Sequence, residues 1–122
     1  MQLPQEIVAL FHKDLDTKQI SEEAATIINK IYQDMQIEES ELDTLLNPAE
    51  AAALLTAKYR RPINHRYVKE ITRTFKNPKT GHVTPARLDH DKVAGSTYLY
   101  RVRKVLAVNM RKGRNEEETS AA

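Results

Sequence analysis

Apolar residues recur at helical spacing from the first residues of the chain. Leu3, Ile7, Leu10, Phe11 and Leu15 follow a period of three to four residues, which is typical of one face of an amphipathic helix. The pattern predicts a short opening helix whose apolar side needs a partner surface.

The strongest helical pattern begins after Ser21. Serine is a preferred N-cap, and Glu22 and Glu23 place negative charge at the positive end of the helix dipole. The apolar stripe that follows consists of Ala24, Ile27, Ile28, Ile31, Tyr32 and Met35. Such a stripe predicts a helix that faces either the core or a dimer partner. Three leucines after Ser40 predict a further short helical turn.

A third helix start lies at residues 47–50. Asn47 is a good N-cap, Pro48 stands at the first helical position, where its missing N–H costs nothing, and Glu50 stands at the third. The alanines and leucines that follow predict a closely packed helix. We expect the stretch 56–63 to interrupt it, because Pro62 disfavours helical geometry in the residue before it.

A basic helix is predicted directly after this break, with Asn64 as its N-cap. Its inward positions are Tyr67, Val68, Ile71 and Phe75. Its outward positions are Arg66, Lys69, Arg73 and Lys76. The helix is therefore expected to present a cationic face to solvent.

The pattern then changes from helix to strand at the turn-forming residues 77–81. Residues 82–88 and 97–102 are rich in Val, Thr and Tyr, and a glycine lies in the loop between them. We therefore predict a two-stranded hairpin with Pro85 on an edge strand. A final helix is expected to end near Gly113.

Composition limits the chain to one compact unit with an appendage, because 122 residues hold one ordinary core. The chain has no Cys, which removes disulfides and thiolate metal ligands from consideration. It has neither a signal-peptide pattern nor the run of about 20 apolar residues that a membrane span needs. These features predict a cytoplasmic protein that requires no cofactor.

Charge divides the chain in two. Residues 1–57 carry 3 Lys and no Arg against 11 acidic residues, whereas residues 58–114 carry 16 Lys and Arg against 3 acidic residues. A basic block of this density favours a polyanionic partner, because cations that neutralise phosphates release condensed counterions. Nucleic acid is the first candidate.

The order of helix, break, basic helix, hairpin and helix is that of a winged helix-turn-helix. Residues 46–55, LNPAEAAALL, resemble the opening helix of the MerR-like and excisionase-type DNA-binding families. Residues 98–106, YLYRVRKVL, resemble their closing strand and helix, and residues 81–87 stand where their first wing strand lies. The resemblance covers about Leu46 to Met110 and departs from the families in its long break at 56–63 and its long wing loop at 89–96.

A recognition helix needs side chains that read base edges at its start and others that hold phosphates. The candidates for base contacts are Asn64, His65, Arg66 and Lys69. Asn can make two hydrogen bonds to adenine and Arg two to guanine, each pair worth about 1 to 3 kcal/mol of discrimination. The candidates for backbone contacts are Arg60, Arg61, Arg73, Lys76 and Lys79, and Lys58 in the break is a further DNA-binding candidate. The wing candidates are Arg87, Lys92 and Arg101, which would reach an adjacent backbone or minor groove.

Several of these residues have a second interpretation. Asn64 can be only a helix cap, although capping and base contact are compatible. Tyr98 and Tyr100 can pack in the core or stack on bases, and core packing is favoured. The loosely spaced residues His82, Asp89, His90 and Asp91 can be drawn as a metal site, but their spacing does not favour one.

The sequence as a whole predicts a mainly α chain with a small β-hairpin wing, a winged helix-turn-helix preceded by an N-terminal helical extension. Its expected parts are an acidic extension at 1–45, a DNA-binding domain at 46–112 and a disordered polar tail at 113–122. The expected function is sequence-specific binding of double-stranded DNA without catalysis, by a homodimer formed through the N-terminal helices. The rival hypothesis is an interaction module whose acidic helices bind a protein and whose basic domain binds RNA or nonspecific DNA.

Overall fold

The structure, a computed structural model, describes residues 3–72, 75–84, 88, 90–95 and 97–108. The described helices are α1 (Gln5–Val8), α2 (Glu22–Tyr32), α3 (Glu39–Leu42), α4 (Pro48–Tyr59), α5 (His65–Ile71) and α6 (Val102–Leu106), with a 3₁₀ turn at Thr17–Gln19. The described strands are β1 (Leu45–Leu46), β2 (Phe75–Lys76), β3 (Val83–Thr84), β4 (Lys92–Ala94) and β5 (Thr97–Arg101). The expected class of a mainly α chain with a small β element is confirmed at this level.

Helix α4 is the centre of the fold. Its start is the capping box that the sequence predicts: the Asn47 side chain accepts the Glu50 backbone N–H at 2.8 Å, and the Glu50 carboxylate accepts the Asn47 N–H at 2.9 Å. The helix is buried from Pro48 to Ala57, with Leu54 and Leu55 at 0% exposure. Its many alanines let α2, α5, α6 and β5 approach closely, so most of the core forms around this one helix.

Helix α2 packs on α4 as its stripe predicts. The Ser21 hydroxyl accepts the Ala24 N–H at 3.1 Å, and Ala24, Ile27 and Ile28 are buried. The stripe therefore faces the core rather than solvent. The prediction is wrong for Met35, which lies beyond the helix end with 55% of its surface exposed.

The opening helix is much shorter than predicted. It ends after Val8, and at residue 12 a turn forms in which the His12 ring nitrogen accepts the Asp14 backbone N–H at 3.1 Å. Side-chain bonds of this kind compete with continuation of a helix. The apolar side chains Ile7 and Leu15 still reach the core, so the expected burial holds where the expected helix does not.

The break between α4 and α5 begins later than residue 56. Helix α4 continues to Tyr59 and ends at Arg60, which has a left-handed φ of 56°. The buried Thr56 hydroxyl donates to Ala52 O at 2.8 Å and accepts the Ile63 N–H at 3.2 Å, which fastens the break to the helix. Asn64 then caps α5 through its side-chain oxygen, as predicted.

The sheet pairing differs from the predicted hairpin. Strand β5 pairs antiparallel with β4 on one side, Val93 opposite Tyr98, and with β1 on the other, Leu46 opposite Tyr100. The three-stranded order is β1-β5-β4. The short helical turn expected after Ser40 exists as α3 and includes Leu42, but it does not extend to Leu45 and Leu46, which form edge strand β1 of the sheet.

Val83 and Thr84, which form the described strand within the predicted segment 82–88, do not pair with 97–102, and the predicted edge residue Pro85 lies outside the described residues. Instead Val83 lies opposite Lys76 in a separate two-stranded ladder of β2 and β3. The predicted turn at 77–81 joins these two strands, and Gly81 takes a φ of +73° that favours glycine. Phe75 thus belongs to a strand and not to the basic helix, which ends at Ile71.

Residues on both sides of the expected boundary at 45/46 contribute to one apolar core. Ile7 and Ile28 belong to the same buried cluster as Val68 and Tyr100. In the described part of the chain, none of the helices has the length and apolar character required to cross a bilayer. The last helix ends at Leu106, with Ala107 as its C-cap, so the expected end near Gly113 is wrong. The expected tail 113–122 lies outside the described residues.

Candidate nucleic-acid interface

A groove of about 880 Å³ runs beside α5. Its walls come from the N-terminal segment before α2, the start of α4, the side of α5 and strand β5. The residues that line it are Asp14, Asp16, Gln19, Pro48, Ala49, His65, Lys69, Thr72, Thr97, Tyr98 and Tyr100. Charged and hydroxyl groups from distant parts of the sequence therefore meet along one helix.

Helix α5 contributes His65 and Lys69 to this groove, and its C-cap Thr72 continues the same helical face. Val68 and Ile71 turn into the core and fix the helix on α4. Arg66 is exposed and does not line the groove. The structure thus brings the predicted residues His65 and Lys69 together and places Arg66 outside the groove.

Asn64 is the N-cap of α5. Its side-chain oxygen accepts the Arg66 N–H at 3.1 Å, and the residue is only half-buried. The capping interpretation is therefore confirmed. A base contact by the same amide stays a prediction.

The opposite wall is acidic and was not recognised in the sequence. Asp14 and Asp16 flank the buried Leu15, so alternation along this segment points both carboxylates outward. The pattern Asp-Leu-Asp is a signal for such a wall, but the expected helix over this stretch disperses the two aspartates around its surface. The groove also recruits Gln19 and Thr97, for which the sequence carries no comparable signal.

The two tyrosines of β5, Tyr98 and Tyr100, have different environments. Tyr100 is at 0% exposure, so core packing is correct for it. Burial raises the pKa of the Tyr100 phenol, and the nearby Thr72 hydroxyl partly opposes this rise. The buried phenol oxygen has no hydrogen-bond partner of ordinary geometry. Tyr98 is 42% exposed and stacks on His90 with ring centroids 4.0 Å apart, so the core prediction is wrong for Tyr98.

Asp91 lies at the base of the β4–β5 hairpin and contacts both β5 and α6. Its carboxylate accepts the Arg101 backbone N–H at 3.1 Å and lies 3.1 Å from the Lys104 ammonium and 3.8 Å from Arg101 Nε. Burial raises the pKa of Asp91, but these bonds and charges outweigh burial and hold the pKa below its usual value. The predicted DNA contact Arg101 therefore shares its charge with a carboxylate of its own chain.

Two other predicted DNA-binding residues, Lys58 and the backbone-contact candidate Arg60, also bind within the chain. Lys58 donates to the carbonyl oxygen of Leu106 at the end of α6. Arg60 donates to the carbonyl oxygen of Tyr32 at 2.6 Å, and its guanidinium lies 4.3 Å from the centre of the Tyr32 ring. Arg60 thus fastens the end of α4 to the end of α2.

The remaining predicted cations are spread over the surface. Lys76 and Lys79 are exposed on the ladder of β2 and β3 and its turn, Lys92 is exposed on β4, and Arg61 is half-buried. Arg73 and Arg87 lie outside the described residues, as does Asp89. Among the residues that the structure describes, no three His, Asp or Glu side chains come close enough to hold a metal ion.

Comparisons with protein-family models, curated proteins and solved structures gave no match to this chain. Function is therefore inferred from the geometry of the groove and of α5.

Proposed function

We propose that the chain is a sequence-specific double-stranded DNA-binding protein, a transcription regulator or recombination accessory factor of a bacterium or phage, without catalytic activity. The observation that carries the proposal is the position of α5. Its apolar face is fixed on α4, while Arg66 and Lys69 are exposed within a block of high positive charge.

The arrangement of elements supports a winged helix-turn-helix. Helix α4 and basic helix α5 follow each other across a short break, and the hairpin of β4 and β5 comes later in the chain, after the two-stranded ladder of β2 and β3. Strand β1, which precedes α4, pairs with β5 and closes a small sheet behind the two helices. In this proposal α5 enters the major groove and the β4–β5 hairpin is the wing, as in the MerR-like and excisionase-type families that residues 46–110 resemble.

The proposal includes a homodimer in the cytoplasm, associated with the nucleoid. A dimer would present two α5 helices to paired half-sites. The apolar stripe of α2 is buried against α4 and is not available for this contact. A dimer through the N-terminal helices would therefore use outward side chains, such as the exposed Val8.

The test measures the binding of purified protein to duplex DNA across a salt series, with fluorescence anisotropy as the readout. The duplexes are the DNA upstream of the protein's own coding sequence and a random duplex of equal length. We expect tighter binding to its own upstream DNA at physiological salt, with affinity for both duplexes falling as salt rises, because phosphate contacts release counterions.

Two other results would count against the proposal. Equal and steeply salt-dependent binding to both duplexes would indicate nonspecific or architectural binding. Absence of binding to either duplex, together with binding to RNA or to a protein through the acidic helices, would favour the interaction-module hypothesis.

A further inference from the structure

The groove beside α5 carries opposite charges on its two sides. Lys69 and His65 stand on α5, and the carboxylates of Asp14 and Asp16 stand on the segment before α2. A phosphate backbone attracted by α5 would therefore meet two negative charges. The basic block is accompanied at this point by an acidic element from the other half of the sequence.

This acidic segment is held in place by α4. The Ser21 backbone N–H donates to the Glu50 carboxylate at 3.0 Å, and the Asn47 amide donates to the carbonyl oxygen of Gln19 at 3.0 Å. Asp16 itself caps the 3₁₀ turn by accepting the Lys18 N–H at 3.0 Å. The segment from Asp16 to Ser21 is thus anchored by the same helix that positions α5, and the Asp14 carboxylate before it lies 3.8 Å from His12 Nδ1.

An ionised carboxylate is only a hydrogen-bond acceptor. In the major groove cytosine and adenine present amino donors, whereas guanine and thymine present acceptor oxygens at the corresponding positions. A carboxylate beside a recognition helix is therefore repelled by phosphates and by guanine or thymine edges. This repulsion is offset only where a base edge that carries an amino group donates a hydrogen bond to the carboxylate.

We propose that Asp14 and Asp16 are specificity-determining residues that accept hydrogen bonds from amino-bearing base edges and reject other sequences. This inference rests on the proposed DNA-binding function and adds to it a second reading element outside α5. The acidic wall lowers affinity for random DNA, where its repulsion is uncompensated, and permits binding at sites with cytosine or adenine at the matching positions.

The experiment compares the wild type with the double variant Asp14→Asn/Asp16→Asn. Asn is also a good N-cap, so the 3₁₀ turn retains its cap, and its amide both donates and accepts, so it tolerates every base edge. Each protein is used to select binding sites from a pool of randomised duplexes. Its affinities for the selected site and for random duplex are then measured at two salt concentrations.

We expect the double variant to bind random duplex several-fold more tightly, more so at low salt because screening weakens the repulsion at high salt. The ratio of specific to random affinity should fall about tenfold, which is within the range of one good side-chain-to-base pair. The selected motif should lose its preference for cytosine or adenine at one or two positions and keep the others. Binding of DNA by the double variant alone would overturn the inference, because the two aspartates would then only repel DNA and read no site.

The control is Glu6→Gln/Asp34→Asn, which removes two exposed carboxylates that do not line the groove. Asp34 has a φ of 59°, a conformation that Asn tolerates. An equal gain in random binding by this control would overturn the inference, because net charge alone would then explain the effect. An unchanged motif and affinity in Asp14→Asn/Asp16→Asn would also overturn it while leaving the DNA-binding function intact. Absence of any duplex binding by all three proteins would refute both.

Discussion

The cations of the basic block differ in what their side chains contact. Arg60 is bonded to Tyr32 and Lys58 to Leu106, so both contribute to packing between helices. Arg66 and Lys79 are exposed, the first on α5 and the second in the turn of the β2–β3 ladder. Charge density predicted a cationic surface, but residue type alone does not separate cations that hold the fold from cations that face solvent.

We predict that Arg66→Ala weakens binding to the specific site by about 1 to 3 kcal/mol and relaxes preference at one base pair, because a bidentate arginine contact is lost. Lys79→Ala should instead weaken binding to all sequences alike and lower the salt slope by about one unit, because it removes one phosphate contact. Anisotropy titrations on specific and random duplexes at several salt concentrations measure both effects. Equal losses on the two duplexes for both variants would remove Arg66 from the reading role.

At the scale of elements, the helices with caps are predicted well and the strand partners are not. The signals for α2 and α4 are local: Ser21 and Asn47 each bond to a backbone N–H three residues ahead. The partner of β5 is set by tertiary packing, since Leu46 opposite Tyr100 is 54 positions away and no turn sequence joins the two strands directly. The acidic wall escaped prediction for a related reason, because only the packing of the N-terminal segment on α4 brings it to α5.

Glu50 shows how one residue links two elements. Its carboxylate accepts the backbone N–H of Asn47 at the start of α4 and that of Ser21 at the start of α2, and it is 6% exposed. We predict that Glu50→Ala lowers the free energy of unfolding by about 2 to 4 kcal/mol, because two hydrogen bonds to a charged, buried acceptor are lost. Glu50→Gln keeps one carbonyl acceptor and should cost about half as much. Urea denaturation measures both.

Glu70→Ala is the matched control for Glu50→Ala. Because Glu70 is exposed on α5, this change should alter the free energy of unfolding by no more than about 0.5 kcal/mol. If Glu50→Ala costs no more than this control, the carboxylate does not join the two helix starts in solution.

At the scale of the whole molecule, the acidic and basic halves of the sequence are partly neutralised by contact with each other. Arg103 of α6 lies 3.0 Å from both Glu39 and Asp43 of the α3 region. Within the acidic half, Lys30 lies 2.8 Å from Glu41. The dipolar sequence therefore does not give a molecule with two isolated charged ends, and part of its charge stabilises the fold.

The stability of the fold should for this reason decline in acid, as particular carboxylates become protonated. The Lys30 bond and the Glu38 backbone N–H lower the pKa of Glu41 against a smaller opposing effect of burial. Burial raises the pKa of Asp91, but its bonds to Lys104 and Arg101 outweigh burial, so its pKa is also lowered. A carboxyl with a lowered folded-state pKa stabilises the protein fully above its unfolded value of about 4, and this stabilisation is lost as pH falls through the folded value.

We therefore predict a urea midpoint that is level from pH 7 to about pH 5 and falls below about pH 4. Asp91→Asn should lower the midpoint at pH 7, because the amide no longer attracts Lys104, and should make the fall in acid shallower, because one of the titrating groups is gone. The exposed change Asp34→Asn should leave the profile close to that of the wild type. If the midpoint falls in parallel for wild type and Asp91→Asn, the bonds of Asp91 to β5 and α6 do not contribute to acid sensitivity. The β4–β5 hairpin would then be held by its strand pairing alone.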